Sequence, residues 1–188
     1  FYHYRPATKV TGPFSMDVEL KRPFAQLNLG TTAKDWGWAK TAGVEISHSK
    51  VTVEGAVYST LKTFSGDVEG ETTVEFTLKE IPSQDDKLVT DNKEYYYLST
   101  NYLLAPAEKD LSKEIVFTLE DHGKEINTLK VHNAPLQRNW RTNIVGDILT
   151  GKGTFNITID QNFTDDRNYD MPGSELEISD FVLKDGYA

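Results

Sequence analysis

Two stretches carry most of the information in this sequence of 188 residues: Leu136-Gln-Arg-Asn-Trp-Arg-Thr-Asn-Ile-Val-Gly-Asp-Ile-Leu-Thr150 and Leu20-Lys-Arg-Pro-Phe-Ala-Gln-Leu-Asn-Leu-Gly-Thr31. Neither contains a pattern with catalytic chemistry, and both are typical of framework strands in a β-protein. In the first, Arg138 and Arg141 alternate with Trp140 near the start of a strand. Guanidinium groups there can tie a strand end to neighbouring carbonyls and carboxylates, so we interpret these three residues as framework.

Alternation of apolar and polar residues continues on both sides of these stretches. The apolar members of the first alternating run are Phe14, Met16, Val18 and Leu20, and their spacing predicts a half-buried strand. Pro23 cannot donate to a strand ladder, so we expect a bulge or a sheet edge there. Pairing is expected to resume over residues 24–29 and to stop at Gly30.

One short helix is expected over residues 32–42, with Thr31 or Thr32 as N-cap and Gly43 just past its end. Further strands are predicted at residues 50–58, 72–78, 94–104, 114–119, 126–131, 139–149, 154–159 and 176–183. Many short strands separated by turns, with almost no helix, indicate an all-β sandwich or barrel.

The most polar break lies between Pro82 and Lys93, near the middle of the chain. It predicts a linker between two tandem β-sandwich units, residues 1–86 and residues 87–188, with the first unit truncated at its start. A single larger sandwich is the alternative, since all-β domains often run long.

The composition of the chain argues against several classes of binding partner and site. The 20 basic and 29 acidic residues give a net charge of −9, which argues against nucleic acid and against docking on anionic lipid by charge alone. Cysteine is absent, so the sequence offers no disulfide or thiolate nucleophile. No apolar run reaches the roughly 18 residues of a membrane helix. The start at Phe1 has no basic segment or initiator Met, and we expect it to be processed or truncated.

The sequence contains no motif that predicts an enzyme or a bound cofactor. The four histidines, His3, His48, His122 and His132, are scattered, and no serine occupies a nucleophile elbow. The stretch from Asp160 to Asp166 begins like a calcium loop but lacks the glycine at position six and the glutamate at position twelve. A surface loop is the better interpretation, with Asp165, Asp166 and Asp170 as a weak calcium candidate.

Trp36 and Trp38 are candidates for a carbohydrate-binding site, since sugars stack on flat aromatic faces. Residues two apart on a helix do not share a face, which favours one tryptophan packed inward and the other covering the surface. Binding of a glycan through Trp36 and Trp38 therefore stays an alternative.

The order and spacing of several strings resemble the fimbrillin-like family of Bacteroides-type bacteria. The strings are the two quoted above, Val51-Thr-Val53 through Phe64-Ser-Gly-Asp-Val68, Glu94-Tyr-Tyr-Tyr-Leu-Ser-Thr-Asn-Tyr-Leu-Leu104, and Phe155-Asn-Ile-Thr-Ile-Asp160. The resemblance covers about residues 14–163.

The resemblance implies two transthyretin-like β-sandwiches in a protein exported to the cell surface, the outer membrane or a fimbrium (type V pilus). It implies a non-enzymatic pilus subunit or fimbria-related adhesin that assembles with other pilus subunits by β-strand complementation, or that meets a host or bacterial surface receptor. Membrane attachment would come only from a lipid anchor that lies outside this segment. The alternative is a surface lipoprotein that binds glycans.

Overall fold

The computed structural model describes residues 1–6, 9, 11–18, 20–150 and 154–160. Within them lie one helix, α1 (Ala33–Thr41), and eleven strands. The strands are β1 (Phe24–Thr31), β2 (His48–Leu61), β3 (Val68–Glu80), β4 (Lys87–Thr90), β5 (Lys93–Leu104), β6 (Asp110–Leu111), β7 (Glu114–Asp121), β8 (Lys124–Val131), β9 (Pro135–Leu136), β10 (Arg141–Asp147) and β11 (Thr154–Asp160).

The strands form two main sheets that pack face to face, which confirms the predicted all-β sandwich with one short helix. One sheet has the order β11-β10-β1-β5-β4, and the other has the order β3-β2-β7-β8. In the first sheet β1 runs parallel to β10 and antiparallel to β5. The short strands β6 and β9 pair separately.

Strand pairing crosses the boundary at residue 86 that the polar stretch suggested. β1 pairs with β5 and β10, and β2 pairs with β7. A single buried cluster between the sheets draws on both halves, including Leu27, Val53, Phe117 and Ile144. In the described residues this boundary therefore lies inside one sandwich, because β1 pairs on both sides with strands of the second half and β2 pairs on one side with β7.

The four-stranded sheet has one buried face and one face in water. In β2, Val51 and Val53 are buried against the first sheet, while Lys50 and Glu54 are exposed. This alternation is the normal pattern of an antiparallel sheet with a single covered face, and it explains why residues 50–58 were recognisable as a strand.

The five-stranded sheet is buried on both faces because it curls. The Thr90 Oγ1 of edge strand β4 lies 2.7 Å from the Thr158 Oγ1 of the opposite edge strand β11. In a flat sheet these strands would be separated by four strand spacings, about 19 Å, so the sheet bends until its edges meet. The second face is therefore a concave interior.

The concave face contains a polar part and an apolar part. Gln26 Nε2 donates to Asn28 Oδ1 at 3.0 Å, and Asn28 Nδ2 donates to Asn143 Oδ1 at 2.8 Å. The apolar part is a separate buried cluster of Leu88, Tyr95, Tyr97 and Val145. Burial of side chains on both faces removes the simple alternation from β1, where every residue after Phe24 is buried.

The helix follows the sequence prediction closely. Thr32 is the N-cap, and its Oγ1 accepts a hydrogen bond from the Asp35 backbone N–H at 3.1 Å. Ala42 is the C-cap, and Gly43 has a φ of +76°, a left-handed conformation that glycine adopts without strain. The capping side chain and the terminal glycine together set both ends of α1.

Asp35 fastens the helix to the end of the sheet. Its fully buried carboxylate accepts hydrogen bonds from Thr31 Oγ1 at 2.6 Å and from the backbone N–H of Leu149 at 2.6 Å. Thr150 contributes its backbone N–H at 3.1 Å and its Oγ1 at 2.5 Å. Burial raises the pKa of this carboxyl, but the hydrogen bonds outweigh burial and hold the pKa below its ordinary value.

The strand expected over residues 14–20 is not present, and this prediction was wrong. Residues 14–18 and 20 pair with no sheet, and their apolar side chains are exposed. Both neighbours of β1 are already β5 and β10, so the residues just ahead of β1 find no free edge beside it. Pro23 lies immediately before β1, where its missing N–H disturbs no ladder, and pairing continues through Gly30 instead of stopping there.

Three short strands were not anticipated, and one prediction cannot be compared. β4 lies within the polar stretch 82–93, and the two-residue strands β6 and β9 are too short for a periodic signal. The strand predicted at residues 176–183 lies outside the described residues.

We expect opposite effects from side chains added at two glycines. A Cβ at Gly30 would lie 2.8 Å from Leu88 Cδ2 and 3.1 Å from Tyr95 Cβ, inside the concave face. Gly30→Val should therefore destabilise the fold by about 2 kcal/mol through overpacking. The exposed helical Gly37 has open space around it, and Gly37→Ala should stabilise by about 0.5–1 kcal/mol. Urea unfolding measures both changes, and equal effects would contradict this packing.

We expect Asp35→Asn to lower the free energy of unfolding at neutral pH by about 3 kcal/mol, because the amide cannot accept all four hydrogen bonds. The exposed Asp85→Asn is the matched control and should change it by less than about 0.5 kcal/mol. Because the folded-state pKa of Asp35 is lowered, its contribution is present at neutral pH and is lost as the pH falls below about 4. Unfolding curves between neutral and acid pH test this, and a variant that keeps the same acid slope would contradict it.

Candidate functional site

A depression opens at the end of the concave face, and we call it the mouth of the curled sheet. It has a volume of about 520 Å³. Its lining comes from the residues after β1, the start of β5, the end of β10 and the start of β11: Thr32, Lys93, Glu94, Tyr95, Val145, Gly146, Asp147 and Asn156. Tyr95 and Val145 belong to the buried apolar cluster, so they form the floor, while Lys93, Glu94 and Asn156 are exposed.

One wall of the mouth is held in place by hydrogen bonds. Thr32 Oγ1 donates to Asp147 Oδ1 at 2.5 Å, and the Thr32 backbone N–H donates to the Gly146 carbonyl at 3.2 Å. Just beyond this wall, the buried carboxylate of Asp35 holds the backbone of Leu149 and Thr150. The relative positions of Thr32, Gly146 and Asp147 are therefore set by the fold.

A second cleft, of about 290 Å³, lies beside Trp36. Its remaining lining residues are mostly apolar and come from α1 and from the segments before β2 and after β3: Ala39, Lys40, Val44, Glu45, Ile46, Ile81, Pro82, Ser83 and Gln84. The Trp36 ring stacks on Tyr96 with centroids 5.2 Å apart and an interplanar angle of 12°. The Lys40 Nζ lies 5.6 Å from the Trp36 ring centroid.

Trp36 and Trp38 do not form a joint platform. Trp36 packs against Tyr96 of β5, whereas Trp38 is 49% exposed and has the Lys34 Nζ 4.3 Å from its ring centroid. Two helical positions differ by about 200° around the axis, which accounts for the separation. Each tryptophan therefore offers a different environment.

The apolar run of Phe14, Met16, Val18 and Leu20 forms a third exposed feature, with exposed fractions of 50%, 43%, 48% and 61%. The segment that contains it is anchored nearby, because Tyr2 and Lys21 form an isolated antiparallel bridge. The run itself pairs with none of the strands in the described part of the chain.

The three residues interpreted as framework occupy different positions. Arg138 donates through Nη1 to Tyr2 Oη at 2.9 Å and to the Gly66 carbonyl at 2.5 Å, so it links the N-terminal segment to the β2–β3 turn. Trp140 is half-buried, and its carbonyl accepts from the Gln26 backbone N–H. Arg141 is buried at the start of β10 and forms an ion pair with Asp160 at 2.5 Å. These contacts join strand ends and loops.

The histidines and acidic residues form no metal site in the described part of the chain. Among the described residues, no three or more His, Cys, Asp or Glu side chains lie close enough to hold a metal ion. The calcium candidates Asp165, Asp166 and Asp170 lie outside the described residues. His122 lies in the exposed β7–β8 turn, where its hydrogen bond with Asp121 raises the pKa of the imidazole and lowers that of the carboxyl.

Sequence reasoning did not identify the mouth. Its polar residues are spread over more than one hundred positions and no local motif joins them, since Thr32, Lys93 and Asn156 come from different parts of the chain. The one signal in the sequence was the predicted ends of several strands. Which of these ends lie together depends on the order of the strands in the sheet, and the sequence does not give that order. Strand order and curl, rather than residue type, create this site.

Comparison with known proteins places the chain in a family without assigning an activity. In the described residues, no helix is long and apolar enough to cross a membrane. A search of curated proteins finds no match to the chain. The model of a family of unknown function, DUF6562, matches residues 1–179, and the chain therefore belongs to that family.

Proposed function

We propose that the chain is a non-enzymatic subunit of a cell-surface fimbria, or a fimbria-related adhesin, that assembles with further subunits by β-strand complementation. The observation that supports this best is the exposed apolar run of Phe14, Met16, Val18 and Leu20. A segment with alternating apolar side chains but without a neighbouring strand has the pattern of a strand that can complete another sheet.

Sheet edges with unpaired backbone groups are the other half of such an interaction. In the described residues, β3 and β8 are the two outer strands of the four-stranded sheet. An outer strand presents a row of N–H and C=O groups to which an extended segment can add, while side-chain pockets select the register. We propose that the apolar run of one copy adds to an edge of another.

We propose that the contact of the run forms between copies. The bridge between Tyr2 and Lys21 and the link from Arg138 to Gly66 hold the N-terminal segment near the β2–β3 turn. A contact between unlike surfaces of successive copies gives an open filament, as a pilus requires, when its rotation does not close into a ring.

The proposed location is the cell surface, the outer membrane or a fimbrium, after export. The absence of cysteine is compatible with this location, since the fold then depends on its core and strand pairing alone. The net charge of −9 favours solubility and disfavours binding to nucleic acid.

We expect concentration-dependent oligomers that weaken when the run loses its apolar character. Val18→Asp, at a side chain that is 48% exposed, should reduce oligomer formation at least about tenfold, because a buried unpaired carboxylate costs several kcal/mol. Leu111→Asp, at a side chain 49% exposed elsewhere, is the matched control and should leave assembly unchanged. Light scattering and electron microscopy measure the size.

Assembly by this route is contradicted if the unmodified protein stays monomeric across the concentration range, including after protease cleavage near its N-terminus. Equal weakening by Val18→Asp and Leu111→Asp would also contradict it, since a nonspecific apolar association depends on total exposed area rather than on the run.

Binding of a glycan by a surface lipoprotein is the second candidate, and the exposed ring of Trp38 favours it. An exposed aromatic face can stack on a sugar ring. We expect Trp38→Ala to abolish retention on a glycan array if this ring is the contact. Retention that survives the substitution would place any glycan contact elsewhere.

A further inference from the structure

We propose that the mouth of the curled sheet binds a neutral carbohydrate, through polar groups around its rim and not through the tryptophans. This inference does not rest on assembly into fimbriae. It starts from the position of the mouth, because the open end of a curled or closed sheet is a common place for ligand sites. Here strand ends from β5, β10 and β11 meet around one depression.

The rim presents groups that suit hydroxyl recognition. Asp147 and Glu94 offer carboxylate oxygens that accept hydrogen bonds, Lys93 offers an ammonium that donates, and Asn156 offers an amide that does both. A sugar hydroxyl both donates and accepts hydrogen bonds. Neighbouring hydroxyls are therefore matched by a rim that contains both donor and acceptor side chains. A ligand with acceptors alone would leave the carboxylates unsatisfied.

The charge of the rim disfavours an anionic ligand. One ammonium, from Lys93, stands beside two carboxylates, from Glu94 and Asp147. The N-cap hydroxyl of Thr32 already donates to Asp147, so the start of α1 faces a carboxylate of the protein itself. A phosphate or sulfate group would meet net negative charge, whereas a neutral polyol would not.

The floor and the fixed wall of the mouth give it a shape that fits a sugar ring. Tyr95 and Val145 form a partly apolar base, against which the C–H face of a pyranose ring can pack. The hydrogen bonds of Thr32 with Gly146 and Asp147 hold the wall before any ligand arrives, which lowers the entropy cost of binding. A volume of about 520 Å³ lies in the range of small-ligand sites and accommodates roughly two or three sugar rings.

The test is isothermal titration calorimetry of the full chain with three neutral trisaccharides, maltotriose, mannotriose and chitotriose, and with a sulfated heparin disaccharide. We expect at least one neutral trisaccharide to bind at concentrations up to about 10 mM and the sulfated sugar not to bind. Asn156→Ala and Lys93→Ala change exposed rim side chains and should each weaken binding about tenfold, the effect of one lost hydrogen bond to a charged or amide group.

Two controls separate this site from other surfaces. Lys109→Ala removes an exposed lysine beyond the opposite end of β5, and Trp38→Ala removes the exposed helix tryptophan. Lys109→Ala should leave the affinity unchanged. Trp38→Ala distinguishes the mouth from the alternative glycan contact on the helix, and it leaves the affinity unchanged if the sugar binds in the mouth. Thermal unfolding of every variant verifies that the fold is intact.

Three results would overturn the inference: no neutral trisaccharide binds, the sulfated sugar binds in preference, or Trp38→Ala abolishes binding while Asn156→Ala and Lys93→Ala do not. Light scattering of the same proteins keeps the two proposals apart. A rim variant that loses sugar binding but still assembles, together with a Val18→Asp protein that loses assembly but still binds sugar, shows that the two surfaces act independently, so that the failure of one proposal leaves the other standing.

Discussion

The carboxylate of Asp35 is the interaction on which the far end of this sandwich depends. It lies in the first turn of α1 and accepts hydrogen bonds from Thr31, Leu149 and Thr150, so one side chain joins the end of β1, the helix and the chain that leaves β10. A buried charge of this kind is stable only when its acceptor capacity is filled. Here the filling groups are backbone and hydroxyl donors, and no ion pair is needed. The wall of the mouth, formed by Thr32, Gly146 and Asp147, is positioned directly beside this junction.

The second feature that organises the fold is the curl of the five-stranded sheet. Contact between Thr90 and Thr158 turns the outer face of the sheet into an interior, which explains why amides such as Asn28 and Asn143 are buried there. The polar half of this interior is held by hydrogen bonds between side chains, and the apolar half is filled by aromatic and branched residues. The open end is left as the mouth. The apolar run lies near the other end of β1, so an eight-residue strand, roughly 25 Å long, separates the surface proposed for assembly from the surface proposed for a ligand.

Much of the secondary structure could be predicted from the sequence, because its causes are local. Thr32 and Gly43 mark the helix ends, and the alternation of Val51 and Val53 with exposed neighbours marks β2. The alternation of Phe14 to Leu20 has the same local pattern but no partner strand among the described residues, since period alone does not supply a sheet edge. The role of Asp35 and the existence of the mouth were not predictable, because both depend on contacts between residues more than one hundred positions apart. The sandwich crosses residue 86 for the same reason: a polar stretch resembles a linker until the pairing of β1 with β10 is known.

The parallel pairing of β1 with β10 also governs how the chain reaches this fold. Asn28 and Asn143, neighbours across that pairing, are 115 residues apart in sequence. The entropy cost of closing so long a loop must be met before the hydrogen bonds between β1 and β10 form. Folding is therefore slow, as for other proteins with high contact order. During synthesis, the central strand β1 emerges early and waits until β10 has left the ribosome, without its neighbour on that side. The five-stranded sheet therefore cannot be completed until late in translation, and until then the backbone groups of β1 that later bond to β10 have no strand partner.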